Sequence, residues 1–269
     1  MTTQLRAISY GGGVQSTALV VLAGQGKIDF PLALFSNVGE KAEHPETLTY
    51  VRNVAIPWGQ AHGVEVVELH NEDKGGNILD LYDVVAEQGN GNIMIPARGS
   101  RTGAPGTRSC TDRFKIQVVR RWLQARGATG ESPAKVAIGI SIDEIQRMST
   151  KVYHKDQEKV YPLVDLRLDR MDCVNIIRSA GLPVPRKSAC YFCPYHRPQV
   201  WAEQKRDAPE LFARAEALEV AIIKKREALG RDPMYLTRFG KPLSEAIHVA
   251  QDELFPEGHD SCDEGYCWT

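Results

Sequence analysis

Two stretches of this chain carry residue types at spacings that could do chemistry. "GGGVQS", residues 11–16, follows the short apolar run "LRAIS" and opens the run "STALVVLAG". Glycines let backbone N–H groups approach an anion, and a helix starting directly after them adds the positive end of its dipole. Strand, glycine turn and helix N-terminus together suit a phosphate. The loop lacks the Gly-Lys-Ser/Thr ending of a Walker A motif and is not GxGxxG, and taken alone it also reads as a structural turn. The second stretch is "CYFCP", where Cys190 and Cys193 are spaced so that two thiolates can meet one metal or cluster. Zinc, a redox pair and an iron–sulfur cluster all use that spacing. No second CxxC follows at zinc-ribbon spacing.

The elements that must position these groups are legible as a pattern. "LRAIS" (5–9), "PLALFSNVG" (31–39), "VEVVEL" (64–69) and "KVAIGI" (135–140) read as buried strands. Helices are expected over "STALVVLAGQG", over a stretch opening at Pro45 and stopping near Gly63, over "CTDRFKIQVVRRWLQARG" and over "MDCVNIIRSAGLPVP". This alternation predicts an α/β fold, a parallel sheet with helices on both faces. Residues 71–107, rich in Gly and Asn, read largely as a mobile loop over the site, with one helical piece near "ILDLYDVVAEQ". From Cys190 on the chain reads as helical. The expected division is a nucleotide-binding domain over 1–185 and a helical C-terminal extension over 186–269.

Composition bounds the function. The chain has 269 residues and a formal net charge of −1, so no global basic field announces a polyanion. Two local basic groups stand out, Arg108 to Arg126 and Arg186 to Arg206, which read as solvated helix faces or as a surface for phosphates or nucleic acid. No apolar run is long enough for a membrane span and no secretory leader pattern opens the sequence, so a cytoplasmic protein is expected. Six cysteines in such a chain point to metal or redox work rather than disulfides, although Cys173, in a helical pattern, reads as a small buried hydrophobe.

The opening loop resembles the PP-loop, the SGGxDS signature of ATP pyrophosphatases and of the phosphoadenylyl-sulfate reductase family. Gly11, Gly12, Gly13, Val14, Gln15 and Ser16 stand at its six positions, with Gly11 for the first Ser and Gln15 for the Asp. "NVGEKAEHPETLTYV" resembles the family's DTGxExPET segment: Asn37 stands where Asp is usual, Gly39 matches, and Glu43, Pro45, Glu46 and Thr47 match after a longer turn. "IGISIDEIQRM" resembles the GxRxxES…R region, with Gly139, Ser141, Asp143, Glu144 and Arg147, and "YPLVDLRLDRM" resembles the PL-x-D-W lead-in, with Leu168 near the usual Trp. The resemblance covers most of residues 5–205. It implies the Rossmann-like adenine nucleotide alpha hydrolase fold and an adenine nucleotide held, as ATP with Mg2+, by Gly11, Gly12, Gly13, Gln15, Ser16, Asn37, Gly39, Glu43 and Gly139. Ser16 would also serve the chemistry, Asp143 or Glu144 would hold a metal ion, and Arg147 would pair with phosphate or sulfate.

Cys110, 80 positions before Cys190, lies in "SCTDRFK", which resembles the tandem-cysteine segment of cluster-bearing adenylyl-sulfate reductases, with Ser109 in the first position. That implies Cys110, Cys190 and Cys193 as three ligands of a [4Fe–4S] cluster with one iron open. Such an arrangement is similar to that of PP-loop sulfurtransferases that thiolate tRNA bases and of DNA phosphorothioation proteins. The implied reaction is ATP-dependent adenylation of an acceptor followed by sulfur transfer, with a sulfur donor, tRNA or DNA as acceptor, and a homodimer as the assembly. Cys262 or Cys267 in "SCDEGYC" could close the cluster or act as a nucleophile. A sulfonucleotide reductase using Cys262 is the second reading, although Ser261-Cys262-Asp263 matches the ECGxH pattern poorly. A nucleotide-binding cluster protein without turnover is the third, permitted by Gln15 and Asn37.

Overall fold

The computed structural model describes residues 4–87, 93–149 and 154–247. In chain order the elements begin with β1 (Arg6–Tyr10), α1 (Val14–Gly24), β2 (Leu32–Asn37), α2 (Pro45–Tyr50), α3 (Ile56–Ala61) and β3 (Glu65–His70). There follow α4 (Leu81–Glu87), β4 (Arg98–Gly99), α5 (Ser109–Thr111), α6 (Gln117–Gln124), β5 (Ala134–Ile138), a 3-10 turn over Ile142–Arg147 and β6 (Gln157–Val160). The chain continues with α7 (Pro162–Asp165), α8 (Arg170–Ser179), α9 (Pro198–Asp207), α10 (Pro209–Ala228), β7 (Met234–Tyr235) and α11 (Leu243–Ala246).

Two compact units divide the described residues: 4–78 with 113–188, and 79–112 with 189–247. Residues 79–112, expected within the first domain, cluster with the second unit.

The first unit is built on a five-stranded parallel sheet in the order β3-β2-β1-β5-β6. Side chains alternate across it, as the pleat requires. Ile8, Tyr10, Ala33, Phe35 and Ala137 share one core with α1, the 45–61 helix and Cys173 and Ile177 of α8. Their neighbours Ala7, Leu34, Val136 and Ile138 share the other core with Val118, Val119 and Leu123 of α6. Helices therefore cover both faces, and the near-continuous apolar runs of β1 and β2 are those of strands buried on two sides. The expected α/β fold is the one observed.

Local chemistry sets the helix ends. His44 caps α2, its Nδ1 accepting from the Glu46 N–H at 3.3 Å, and Pro45 occupies the first helical position, where its missing N–H costs nothing. The expected helix from Pro45 runs as far as Ala61 but passes through a π-turn at Val51–Ala55, just before Pro57. Proline has no N–H for the preceding turn and crowds its carbonyl, so the ladder widens there. A reciprocal capping box between Asp169 and Asp172 starts α8.

The second unit is helical apart from one short antiparallel ladder, β4 with β7. The long helix α10 packs on α9, α4, β7 and α11. Its core is aromatic: Trp201 meets Phe212 edge-on at 6.3 Å, and Phe192 meets Tyr82 at 5.8 Å. The ladder lies where the sequence predicts loop and helix. Two-residue strands leave no period to read.

Candidate functional site

The strand order reverses direction at β1, which pairs with β2 on one side and β5 on the other. In an open parallel sheet the carboxyl ends at such a reversal leave a crevice that ligands occupy. Here the loop 11–13 leaves β1 and the segment 139–141 leaves β5.

The glycine loop is shaped for close backbone approach. Gly12 sits at φ +75, where a side chain is strained, and a Cβ on it would lie 2.9 Å from Thr47 Cγ2. A Cβ on Gly139 would lie 2.9 Å from the Ser16 backbone nitrogen. Only glycine lets the chain leaving β5 rest against the first turn of α1. That turn has Gly13 at its N-cap, no side-chain cap and no acidic residue. Its first N–H groups therefore have no side-chain cap, and the dipole's positive end lies behind them, an arrangement that attracts an anion.

Ser16 closes the loop: its Oγ accepts from the Gly11 N–H at 3.2 Å and donates to the Gly13 carbonyl at 3.1 Å. Gln15 Oε1 accepts from the Arg170 guanidinium at 3.3 Å, and the Arg170 backbone N–H donates to Asp143 Oδ1 at 3.1 Å. Arg170 thus ties the loop to the segment after β5. The sequence reading missed it because nothing in "DRMDC" points to a partner 155 positions away. Arg147, expected to meet phosphate, forms an ion pair with Glu144. Ser9, Thr47 and Ser141 are buried with hydroxyls that find no hydrogen-bond partner among the described residues. All three lie on segments that end at or flank the loop. Buried hydroxyls are rarely left unpaired, and a bound ligand or water is the usual partner.

At the end of β2, Asn37 is fully buried and its amide is fully used. Its oxygen accepts from the Gly39 N–H at 2.8 Å, and its nitrogen donates to Glu40 at 3.0 Å and Glu68 at 2.7 Å. Arg52 pairs with both carboxylates. An Asp at 37 would set a third carboxylate against two, which explains Asn there in terms of the fold. Glu43 is buried, and burial pushes its carboxyl upward, offset in part by Lys115. Burial and the Arg186 guanidinium push His44 down to about 4, so its ring stays neutral while it caps α2.

Cys110, Cys190 and Cys193 all fall in the second unit, although 80 residues separate the first two. None is in a disulfide, and each is partly exposed. Tyr191 and Phe192 between the last two are buried and anchor the turn, which the Cys193 N–H closes onto the Cys190 carbonyl at 3.1 Å. His196 adds a ring-nitrogen contact to the same carbonyl at 2.9 Å. The Cys110 N–H donates to the Met94 carbonyl at 3.0 Å. Among the described residues no three His, Cys, Asp or Glu side chains are gathered as a metal-binding group. Cys173 is buried in the first unit, its thiol pushed up to about 12 by burial and by Asp143, as befits an inert core residue. Cys262 and Cys267 lie outside the described residues.

No helix among the described residues is long and apolar enough to cross a membrane. No family model matches the chain, and no curated protein matches it. Among solved structures, the U34-tRNA thiolase NcsA from Methanococcus maripaludis, with its [4Fe–4S] cluster, is similar over 82% of this chain and 72% of that chain, at 16% identity and a TM-score of 0.44.

Proposed function

We propose that this protein is an ATP-using sulfurtransferase of the PP-loop type, which adenylates an acceptor and replaces the adenylate with sulfur. The observation that carries the reading is the uncapped, acid-free first turn of α1 at the sheet's switch point, with Gly139 packed closely against its backbone. In this reading the amides of residues 13–16 hold the pyrophosphate of ATP. Asp143 or Glu144 would hold Mg2+, and Arg147 would exchange Glu144 for phosphate. An acceptor oxygen attacks the α-phosphorus, its new P–O bond replacing the bond to pyrophosphate. The amides and the α1 dipole stabilise charge on that leaving group. A sulfide-level sulfur from the donor then attacks the activated acceptor atom, its new bond replacing the bond to the adenylate oxygen, and AMP leaves with that oxygen. Gln15, neutral where the motif carries Asp, leaves this work to the backbone and Arg170.

The second unit supplies donors suited in kind to a [4Fe–4S] cluster: three reduced, partly exposed thiols in one compact unit, two of them on one anchored turn. A cluster held by Cys110, Cys190 and Cys193 would supply a thiophilic iron where sulfur can be held. tRNA or DNA is the proposed acceptor class.

Nucleotide choice is the deciding test. On anaerobically purified protein, ATP should raise the melting temperature more than adenylyl sulfate or its 3′-phosphate at equal concentration. A ligand at about 100 times its Kd stabilises by about 2.7 kcal/mol. Preference for a sulfonucleotide would make this a reductase instead. Cys110→Ser, Cys190→Ser and Cys193→Ser should each lose bound iron, with Cys173→Ser retaining it. Iron retained at wild-type level in Cys110→Ser would remove Cys110 from the ligand set.

A further inference from the structure

We infer that the paired loops 99–104 and 231–241 of the second unit form a binding platform for single-stranded nucleic acid, with Phe239 stacking on a base and Arg101, Arg238 and Lys241 holding the phosphates.

Backbone contacts fix the two loops together. β4 pairs with β7, aligning Arg98 with Tyr235 and Gly99 with Met234. Beyond the ladder, a Cβ on Gly103 would sit 2.8 Å from the Arg238 carbonyl oxygen, and one on Gly240 would sit 2.8 Å from that of Ser100. The loops therefore touch main chain to main chain on both sides of Phe239. This seam carries a ring that is 41% exposed. An aromatic face held out to water between cations is what stacking on an unpaired base needs.

The charge around it is one-sided. The two loops hold Arg101, Arg231, Arg238 and Lys241, all exposed, against a single carboxylate, Asp232. Arg101 reaches Asp232 at 3.1 Å yet keeps 80% of its side chain in solvent, so the pair is weak and open to exchange for phosphate. In a chain of net charge −1 this is a local field. The basic and aromatic character continues along the same unit, where the Arg98 and Arg108 guanidiniums lie 5.4 and 5.6 Å from the centre of the Tyr195 ring. Arg108 stands two residues before Cys110.

Duplex would present its phosphates but not a free base face, so the platform selects single strands. Binding needs neither ATP nor a cluster. Its failure would leave the proposed reaction standing, and failure of that reaction would leave the platform standing.

The test is fluorescence anisotropy of the intact protein with labelled oligouridylate, oligothymidylate and a duplex of equal length, over a range of salt. Single strands should bind more tightly than duplex. Phe239→Ala should weaken them about tenfold, Phe239→Trp should restore affinity, and Phe239→Leu should not. Arg101→Gln, Arg238→Gln and Lys241→Gln should each lower the slope of log affinity against log salt by about 0.7. All four side chains are exposed, so the variants should melt near the wild-type temperature. Preference for uridylate assigns RNA, and equal binding assigns single strands of either sugar; both support the platform. Unchanged affinity in Phe239→Ala, full rescue by Phe239→Leu, a preference for duplex, or no binding even at low salt would overturn it, the last leaving the patch to a protein partner.

Discussion

The two units are held together by different means. In the first, parallel ladders and period-two packing do most of the work, repeated over five strands. In the second, single side chains tie distant backbone together. Glu219 accepts from the Leu236 and Leu243 N–H groups, Lys205 reaches the Ile247 carbonyl at 2.8 Å, and the Tyr82 hydroxyl reaches that of Arg214 at 3.2 Å. A ladder shares its load among many equivalent bonds. Side-chain ties concentrate it in a few residues, so the second unit should be the more sensitive to single substitutions.

The strongest test of that contrast is Trp201→Ala. The ring is fully buried, and its loss should cost about 3–5 kcal/mol. Amide exchange should then quicken in 79–112 and 189–247 while β1, β2 and β3 keep their protection. Equal loss in both sets would mean that the units unfold as one.

Next comes pH. Burial holds the Glu219 carboxyl up at about 7, against the pull of two backbone N–H donors, whereas the unfolded chain ionises near 4.5. The native state keeps a proton that the unfolded state has lost. The second unit should therefore lose stability as pH rises from about 4.5 through 7, by an amount on the order of 3 kcal/mol. Urea melts of Glu219→Gln should show no such slope from this site; a slope equal to wild type would exclude Glu219 as its source.

A smaller effect probes the ladder-built unit. Asn37→Asp removes two donors from Glu40 and Glu68 and should cost about 2 kcal/mol at pH 7, with part recovered at pH 5 as a carboxylate protonates. The smallest is Gly139→Ala. The added methyl would crowd the Ser16 nitrogen and should cost about 1 kcal/mol, with ATP affinity falling by more than the melting temperature implies. Unchanged ATP binding would separate the loop from the nucleotide.

Legibility followed the same line. The apolar run at Ala7 and Ile8, the start at Pro45 and the stop at Gly24 or Gly26 are local signals, and they were readable in the sequence. β6 was not: Gln157, Glu158 and Lys159 are the polar residues of an edge strand, which carries little apolar period. The β4–β7 ladder is too short to carry any period. At the candidate site the glycine loop was readable because a turn, a helix start and a charge preference coincide there. Arg170 was not, since its partners Gln15 and Asp143 lie far off in the chain, nor were the unpartnered hydroxyls of Ser9 and Ser141, whose burial depends on the fold. For the cysteines, spacing disclosed the turn at 190–193, and only the contacts of 79–112 placed Cys110 in the same unit.

The path of the chain between units has a consequence in time. It passes from one to the other at 78/79, 112/113 and 188/189, so Cys110 leaves the ribosome 80 residues ahead of Cys190. At about 5–20 residues per second that interval is roughly 4–16 s. During it β1, β2 and β3 already exist, while the segment bearing Cys110 still lacks α9 and α10 to fold against. A partly exposed thiol thus spends seconds on an unfinished half-domain, and the yield of folded protein should depend on how reducing the surroundings are during synthesis rather than afterwards.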